Sequence, residues 1–440
     1  MENAKGSPTK DFFVRMVTRD ISLNDCILDL IDNCLDGARK RSTKENDESS
    51  NVIDYNGHYA SLKITPEKFI ISDNCGGISI SDAIDYAFHF GRRPDAPNDG
   101  DHSIGLYGIG MKRAILKMGK NIKIHSSTEK EAFICKIDVN DWLSRPDDWD
   151  FDMYEAEKID GTGTIIEINN LYPYISAEFS DTIFQNKLKD IISRDYSIFL
   201  DKGFDILIND VSVKGHVFSV KTSDEFRPHR ISYQDRGVKV DIIAGMSAPP
   251  PDDTGPPQRT ETSYYGWYVF CNDRVVVAAD KSSLTVWGDE EFQNWHYQYN
   301  GFIGMVMFSS GDPKLLPWTT TKRDIDESSP LYRRAINEMK SATLPWIEYT
   351  NRRKADLEAA RETERAALSV SFFKVGENPT FSVPTPPPDK PRIRMTSIQY
   401  SKPQSEVKKV AAALGNANMY NYQVGIETFE YFVKNELEDD

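Results

Sequence analysis

The stretch Leu-Asp-Leu-Ile-Asp-Asn-Cys-Leu-Asp-Gly-Ala at residues 28–38 is the strongest constraint on how this chain folds. Its apolar residues recur at spacings of three and four, at Leu28, Ile31 and Leu35. This spacing predicts a helix that packs inward on one face. Asp29 and Asn33 are four residues apart, so they share a neighbouring face. An amide oxygen can bind Mg²⁺ and a carboxylate can orient or deprotonate water, although such a pair is also common on solvated helix faces.

The bulk composition excludes several classes of protein. A chain of 440 residues is long enough for roughly two or three domains. No apolar run reaches about 18 residues and the N-terminus lacks a secretory signal, so we expect no membrane span. The five cysteines are scattered without a Cys-x-x-Cys pair, which argues against a zinc site or a disulfide framework and favours a cytoplasmic protein. The net charge of −15 disfavours nonspecific DNA binding, but a local basic groove remains open.

The order of predicted elements indicates an α/β chain with several regions. Residues 1–175 read as helices and antiparallel strands in a two-layer α+β sandwich, with a polar, turn-rich lid at 90–104. A second α/β domain is predicted for residues 176–345. A long charged helix at 346–375, a proline-rich linker at 376–405 and a small helical tail at 406–440 complete the chain.

Two glycine-containing segments of the first region could contact a nucleotide. Asp73-Asn-Cys-Gly-Gly77 follows a predicted strand, where a carboxylate could accept a hydrogen bond from a purine amino group. An ordinary Asx turn would explain that segment equally well. Gly105, Gly108 and Gly110 precede a predicted helix, and Lys112 lies in its first turn. Backbone amides, the helix N-terminus and the lysine could bind phosphates there.

A further candidate is Thr164, which begins a predicted strand after Gly161-Thr-Gly163. Its hydroxyl could contact the same purine, although strand propensity alone also explains a threonine at this position. The chain has no Gly-x-x-x-x-Gly-Lys-Ser/Thr motif, which excludes a P-loop ATPase.

Together the four motifs, over roughly residues 20–170, resemble the Bergerat ATP-binding fold of the GHKL superfamily, which includes gyrase, the ninety-kilodalton heat-shock chaperone, histidine kinases and MutL. The resemblance implies ATP bound under the lid with Mg²⁺ on Asn33. Asp73 would contact adenine, Gly77 would pass beside it, and the glycines at 105, 108 and 110 would surround the phosphates. Two residues depart from the family pattern. Asp29 replaces the catalytic glutamate and is one methylene shorter, and Cys75 replaces a glycine.

The segment Leu316-Pro-Trp-Thr-Thr-Thr-Lys322-Arg-Asp resembles the lysine loop of the S5-like transducer domain in the gyrase, MutL and Microrchidia branches. The resemblance implies that Lys322 reaches the γ-phosphate. Among these branches, the motifs most resemble those of prokaryotic Microrchidia-like ATPases. It further implies an ATP-dependent homodimer, with residues 5–25 as an N-terminal strap and a protein or DNA as partner. The rival prediction is an ATP-gated protein-binding switch with little or no hydrolysis.

Overall fold

The computed structural model describes residues 8–45, 53–91, 102–105, 108–252, 264–289, 292–319, 321–384 and 396–437. The chain divides into two compact units, Met1–Pro386 and Pro387–Asp440, and each is described by itself. The mixed α/β class predicted from the sequence is confirmed: helices cover more than one sheet, and a helical segment follows near the C-terminus. Within the described residues no helix is both long enough and apolar enough to cross a membrane.

The first sheet carries the predicted motifs. Its strands are β1 Tyr59–Ile64, β2 Lys68–Asp73, β3 Gly119–Ser127, β4 Ala132–Asp138, β5 Asp152–Glu155, β6 Gly163–Leu171, β7 Asp205–Ile208 and β8 Val211–Ser212. Across the described part of the chain these eight strands lie in the order β5-β4-β3-β6-β2-β1-β7-β8. Neighbouring strands are antiparallel except β1 and β7, which run parallel.

Helices cover one face of this sheet. The helices of this part of the chain are α1 Lys10–Arg19, α2 Leu23–Glu45, α3 Ile80–Asp82 with a π-helical turn Ala83–Ala87, α4 Gly110–Met118, α5 Val139–Ser144, α6 Pro173–Ser180, α7 Thr182–Asp195 and α8 Ser197–Asp201. Alternate residues of β1 and β2 are buried, such as Leu62 and Ile71, as expected for a sheet with one covered face. The predicted inward stripe of α2 is fully buried, with Leu28 and Ile31 at 0% exposure.

The second sheet lies farther along the same unit. Its strands are β10 His229–Asp235, β11 Val238–Met246, β12 Gly266–Cys271, β13 Arg274–Asp280 and β14 Phe302–Ser309, in the order β10-β11-β14-β12-β13. Helix α9, Pro330–Arg352, packs on one face, where the Trp267 indole donates to Thr343 on α9. A small two-stranded sheet is formed by β9, Ser219–Thr222, and β15, Leu368–Ser371. Its Val220 packs in an apolar cluster with residues of the second sheet, such as Ile243 and Tyr268. Coverage on both faces explains why β12 is buried at every residue.

The region boundaries of the structure differ from those expected from the sequence. The segment 204–213 was expected in the second domain but extends the first sheet as β7 and β8. The strands up to β6 leave one edge of β1 unpaired, and β7 pairs with that edge. Residues 346–375 are not one long helix. Helix α9 ends at Arg352, and α10, Leu357–Ala366, starts anew at the Asp356 N-cap. The first part of the expected linker is packed, since Phe381 stacks on Trp346 and Asn378 pairs with Arg230.

The C-terminal unit holds two helices over its described residues 396–437. Helix α11 spans Gln404–Ala413 and α12 spans Asn421–Glu436, close to the helical tail expected from the sequence. Few of its side chains are buried, among them Ala411 and Val424.

Candidate functional site

A cavity of about 380 Å³ lies between α2, α4 and the strands β2 and β6. The predicted site residues that line it are Asn33, Asp73, Gly77, Gly105, Gly108, Gly110, Lys112 and Thr164. They come from four segments far apart in sequence, so the fold brings eight of the ten candidates together. Asp29 and Lys322 are not among the lining residues of the described chain.

Helix α2 presents Asn33 to the cavity. The side chain is exposed, and no hydrogen-bond partner for its carboxamide is present among the described residues. The oxygen is therefore available to a ligand. The described residues contain no group of three acidic, His or Cys side chains that could hold a metal ion. A single amide ligand still suits Mg²⁺, which usually binds one or two protein oxygens together with substrate phosphates and water.

Asp36 is a lining residue that the sequence analysis missed. It accepts hydrogen bonds from the backbone amides of Ile104, at 2.7 Å, and Gly105, at 2.5 Å. Burial raises the pKa of its carboxyl group, and the two amides partly oppose that shift. Asp36 thus anchors the start of the glycine turn to α2. Its position three residues after Asn33, on the same helix face, is the signal that could have revealed it.

Asp73 lies at the end of β2 and also lines the cavity. One carboxylate oxygen accepts the Cys75 amide at 2.8 Å, and the other contacts the Cys34 thiol at 3.6 Å. Burial raises the pKa of Asp73 to about 6, although these donors partly oppose it. Burial also raises the pKa of both neighbouring thiols, so they remain protonated and can donate. Asp73 is consequently a partly buried acceptor whose charge is only partly compensated.

The segment after Asp73 passes very close to the neighbouring strands. Gly77 has φ +71°, and a Cβ atom there would lie 2.1 Å from the Ser127 carbonyl oxygen. A side chain at this position is therefore excluded. Thr164 borders the same part of the cavity, and its hydroxyl lies 2.9 Å from the Ser126 hydroxyl. Cys75 thus leaves the close approach at Gly77 intact.

Helix α4 provides the basic end of the cavity. It begins at Gly110, and the first-turn residues Gly110, Met111 and Lys112 line the cavity, so the positive N-terminal end of the helix dipole favours an anion there. Lys112 follows in the same turn, and its amine donates to the Ala87 carbonyl at 2.7 Å. Burial lowers the pKa of Lys112 to about 8. This amine would gain a partner for its charge from a bound phosphate.

Asp29 is held by Arg113 rather than facing the cavity. Its Oδ2 atom accepts from Arg113 Nη2 at 2.6 Å and Nε at 2.8 Å, and the carboxylate is 3% exposed. The same oxygen lies beside Gly110, where a Cβ atom would be only 3.1 Å away. The predicted catalytic acid therefore lies next to a lining residue, but its carboxylate is paired with the Arg113 guanidinium.

Lys322 is buried against α2, where it contacts Asp32, the residue before the candidate metal ligand Asn33. Its amine lies 3.5 Å from Asp32 Oδ2. Asp32 also accepts from Arg274 and from the Tyr196 hydroxyl, each at 2.7 Å. Burial alone would raise the pKa of Asp32, but Arg274, Lys322 and Tyr196 outweigh it and lower the pKa. This network joins the loop of Lys322 to the helix that carries Asn33.

The predicted lid at 90–104 lies largely outside the described residues. Of its described C-terminal end, Ile104 is buried and bound to Asp36.

A search of curated proteins found no match to the chain. A family model described as "Histidine kinase-, DNA gyrase B-, and HSP90-like ATPase" matches residues 21–171, a range that contains every predicted residue lining the cavity. This match supports a GHKL-type ATP-binding domain over residues 21–171.

Proposed function

We propose that the protein binds ATP with Mg²⁺ in this cavity and hydrolyses it to drive a clamp-like conformational cycle. The observation that carries the proposal is the convergence of eight motif residues on one cavity within the family match. A volume of about 380 Å³ lies in the range of small-molecule sites. The cavity lining also offers two kinds of polar group, a partly buried carboxylate at Asp73 and a helix N-terminus with Lys112.

Each kind of group suits one part of ATP. Asp73 would accept a hydrogen bond from the adenine amino group, with Gly77 and Thr164 beside the base. The α4 amides and Lys112 would bind the phosphates. Asn33 would hold Mg²⁺, which when bound neutralises phosphate charge.

Hydrolysis would require two residues that now have other partners. Asp29 would orient or deprotonate the attacking water, and Lys322 would stabilise charge at the γ-phosphate. Arg113 holds the first, and Asp32 lies beside the second. Both residues must therefore exchange partners during a catalytic cycle.

An ATP-gated switch with slow or no hydrolysis is the second candidate function. It is favoured by Asp29, which is short for its role and pairs with Arg113. In that case ATP would close the protein and recruit a partner, and little ADP would form.

The finer features of the proposal follow from the resemblance to Microrchidia-like ATPases. They include ATP-dependent homodimerisation through residues 5–25 and a protein or DNA held by the clamp. In the described part of that segment, α1 exposes Phe12 and Met16, at 56% and 58%, which is consistent with a contact between copies. Size-exclusion chromatography with a non-hydrolysable ATP analogue tests this point. An unchanged elution volume at saturating analogue would argue against the dimer.

The central test measures ATP binding and ADP release for the wild type, Asp29→Asn and Asn33→Ala. We expect wild-type turnover, retained binding without turnover in Asp29→Asn, and loss of Mg²⁺-dependent binding in Asn33→Ala. Asp82→Asn is the matched control, because Asp82 is an exposed acid on the cavity wall without an assigned role. Tight binding without wild-type turnover would favour the switch. No binding by the wild type would refute both functions.

A further inference from the structure

The ion pair between Asp29 and Arg113 occupies the carboxylate oxygen that catalysis would use. Both donating nitrogens of Arg113 bind Oδ2, at 2.6 and 2.8 Å. Oδ2 is also the oxygen nearest to the Cβ position of Gly110, which lines the cavity. The Asp29 oxygen nearest to this lining glycine therefore already accepts two charge-assisted hydrogen bonds. A water that attacks a phosphate would have to compete with the guanidinium for it.

Geometry gives Asp29 few alternatives. Its carboxylate is attached through a single methylene, and it is 3% exposed between α2 and α4. Because the side chain is short and enclosed, its carboxylate stays against the guanidinium unless Arg113 or one of the two helices moves. Arg113 is itself only 9% exposed, so water does not screen the pair effectively. The contact is consequently strong enough to hold the acid in place.

We propose that Arg113 is a restraining residue that keeps Asp29 inactive between turnovers and so limits the rate of ATP hydrolysis. This inference rests on the proposed function and adds to it the residue that sets the rate. It also connects the two candidate functions, because a pair that rarely opens makes the protein behave as a switch.

The test compares turnover and ATP affinity in the wild type and in Arg113→Met, which retains much of the apolar stem and removes the charge. We expect the turnover number to rise by about tenfold or more, because both charge-assisted hydrogen bonds to Oδ2 are removed, while the Kd for ATP changes by less than about threefold. Lys117→Met is the matched control. It removes a positive charge one turn farther along α4, from a lysine that donates to the Thr18 carbonyl instead. Its turnover should equal that of the wild type.

A second substitution connects the gain to Asp29. In the double variant Asp29→Asn, Arg113→Met, the rise must disappear, since the released carboxylate is gone. A general loosening of the structure would leave some of the rise in place. Persistence of the gain in the double variant would overturn the proposal.

The remaining outcomes also decide. Turnover in Arg113→Met at or below the wild-type value, with ATP binding intact, would show that Arg113 does not restrain Asp29. If the wild type binds ATP without hydrolysing it, turnover in Arg113→Met supports the proposal and its absence overturns it. Removing Arg113 leaves a buried carboxylate without its partner, so melting temperature is measured in parallel. If Arg113→Met does not fold, Arg113→Lys decides: a smaller rise supports the proposal, and no rise overturns it.

Discussion

Replacement of Asp73 by Asn should stabilise the nucleotide-free protein and weaken ATP binding in the same molecule. Asp73 is a partly buried carboxylate at the end of β2, and desolvation raises its pKa from the ordinary value of 3.8 to about 6. Folding therefore penalises its charged form. Asparagine has the same shape, can keep the hydrogen bond from the Cys75 amide and carries no charge.

The size of the stabilisation follows from the pKa shift. About two pKa units correspond to about 3 kcal/mol at 1.36 kcal/mol per unit. Asp73 borders a cavity, so solvent recovers part of this penalty, and we expect about 1–2 kcal/mol. Because the folded pKa is raised, the stability that protonated Asp73 confers is complete below pH 3.8 and lost as the pH rises through about 6. The advantage of the Asp73→Asn variant over the wild type should therefore be complete at pH 7.5 and reduced by about half at pH 5.

Urea unfolding of the two nucleotide-free proteins at pH 7.5 and pH 5 measures this difference. ATP affinity, measured by calorimetry at pH 7.5, should fall about 10- to 100-fold, because a charge-assisted acceptor for the adenine amino group is lost. Asp82→Asn serves as the control for removal of one negative charge from the cavity wall. A stabilisation that does not change with pH would refute the argument from the pKa. Unchanged ATP affinity would refute the assignment of Asp73 to the base.

Two further predictions concern the phosphate end of the cavity. Lys112 has its pKa lowered to about 8 by burial, and a bound phosphate favours its charged form, so ATP affinity should weaken as the pH rises above about 8. Binding isotherms between pH 7 and 9.5 measure this effect. In Lys112→Met the ATP affinity should be lower at every pH and should not decline further as the pH rises. If the affinity of Lys112→Met declined with pH as it does in the wild type, the titrating group would be another residue. Lys322→Met should lower ATP turnover by about 100-fold, the effect of losing one preorganised charge at a transferring phosphate, and leave ADP affinity unchanged. Its melting temperature should change little, because Arg274 and Tyr196 continue to bind Asp32. Lys314→Met, at an exposed lysine, is the control, and normal turnover in Lys322→Met would exclude the lysine from the reaction.

The parts of the site that the sequence predicted depend on local chain geometry. Asn33 follows from helical spacing in α2, and Asp73 and Gly77 follow from a strand that ends in glycines. The glycines before α4 indicate an anion site without knowledge of the rest of the fold. Helix α2 and the short strands β1 and β2 were predicted for the same reason, since each shows its own period of apolar residues.

The parts that the sequence did not reveal depend on contacts between distant residues. Arg113 is 84 residues from Asp29, and Arg274 is 242 residues from Asp32. The residues that surround an arginine in the sequence do not indicate which acidic residue it will pair with in the folded protein. The same holds for β7, whose short apolar run does not indicate which sheet it joins. Sequence patterns thus identified most of the polar groups that line the cavity but not the distant arginines that pair with Asp29 and Asp32.

The parallel pairing of β1 with β7 defines how much chain is needed to carry the site. A polypeptide that ended at Leu171, the limit of the family match, would leave β1 as an open edge with unpaired backbone groups. It would also lose Phe199 and Phe204, whose rings pack on Tyr55 just before β1. Such a fragment would tend to aggregate through that edge. The part of the chain needed to support the cavity therefore reaches at least to β7, and helices α6 to α8 belong to its structure rather than to a connection between domains.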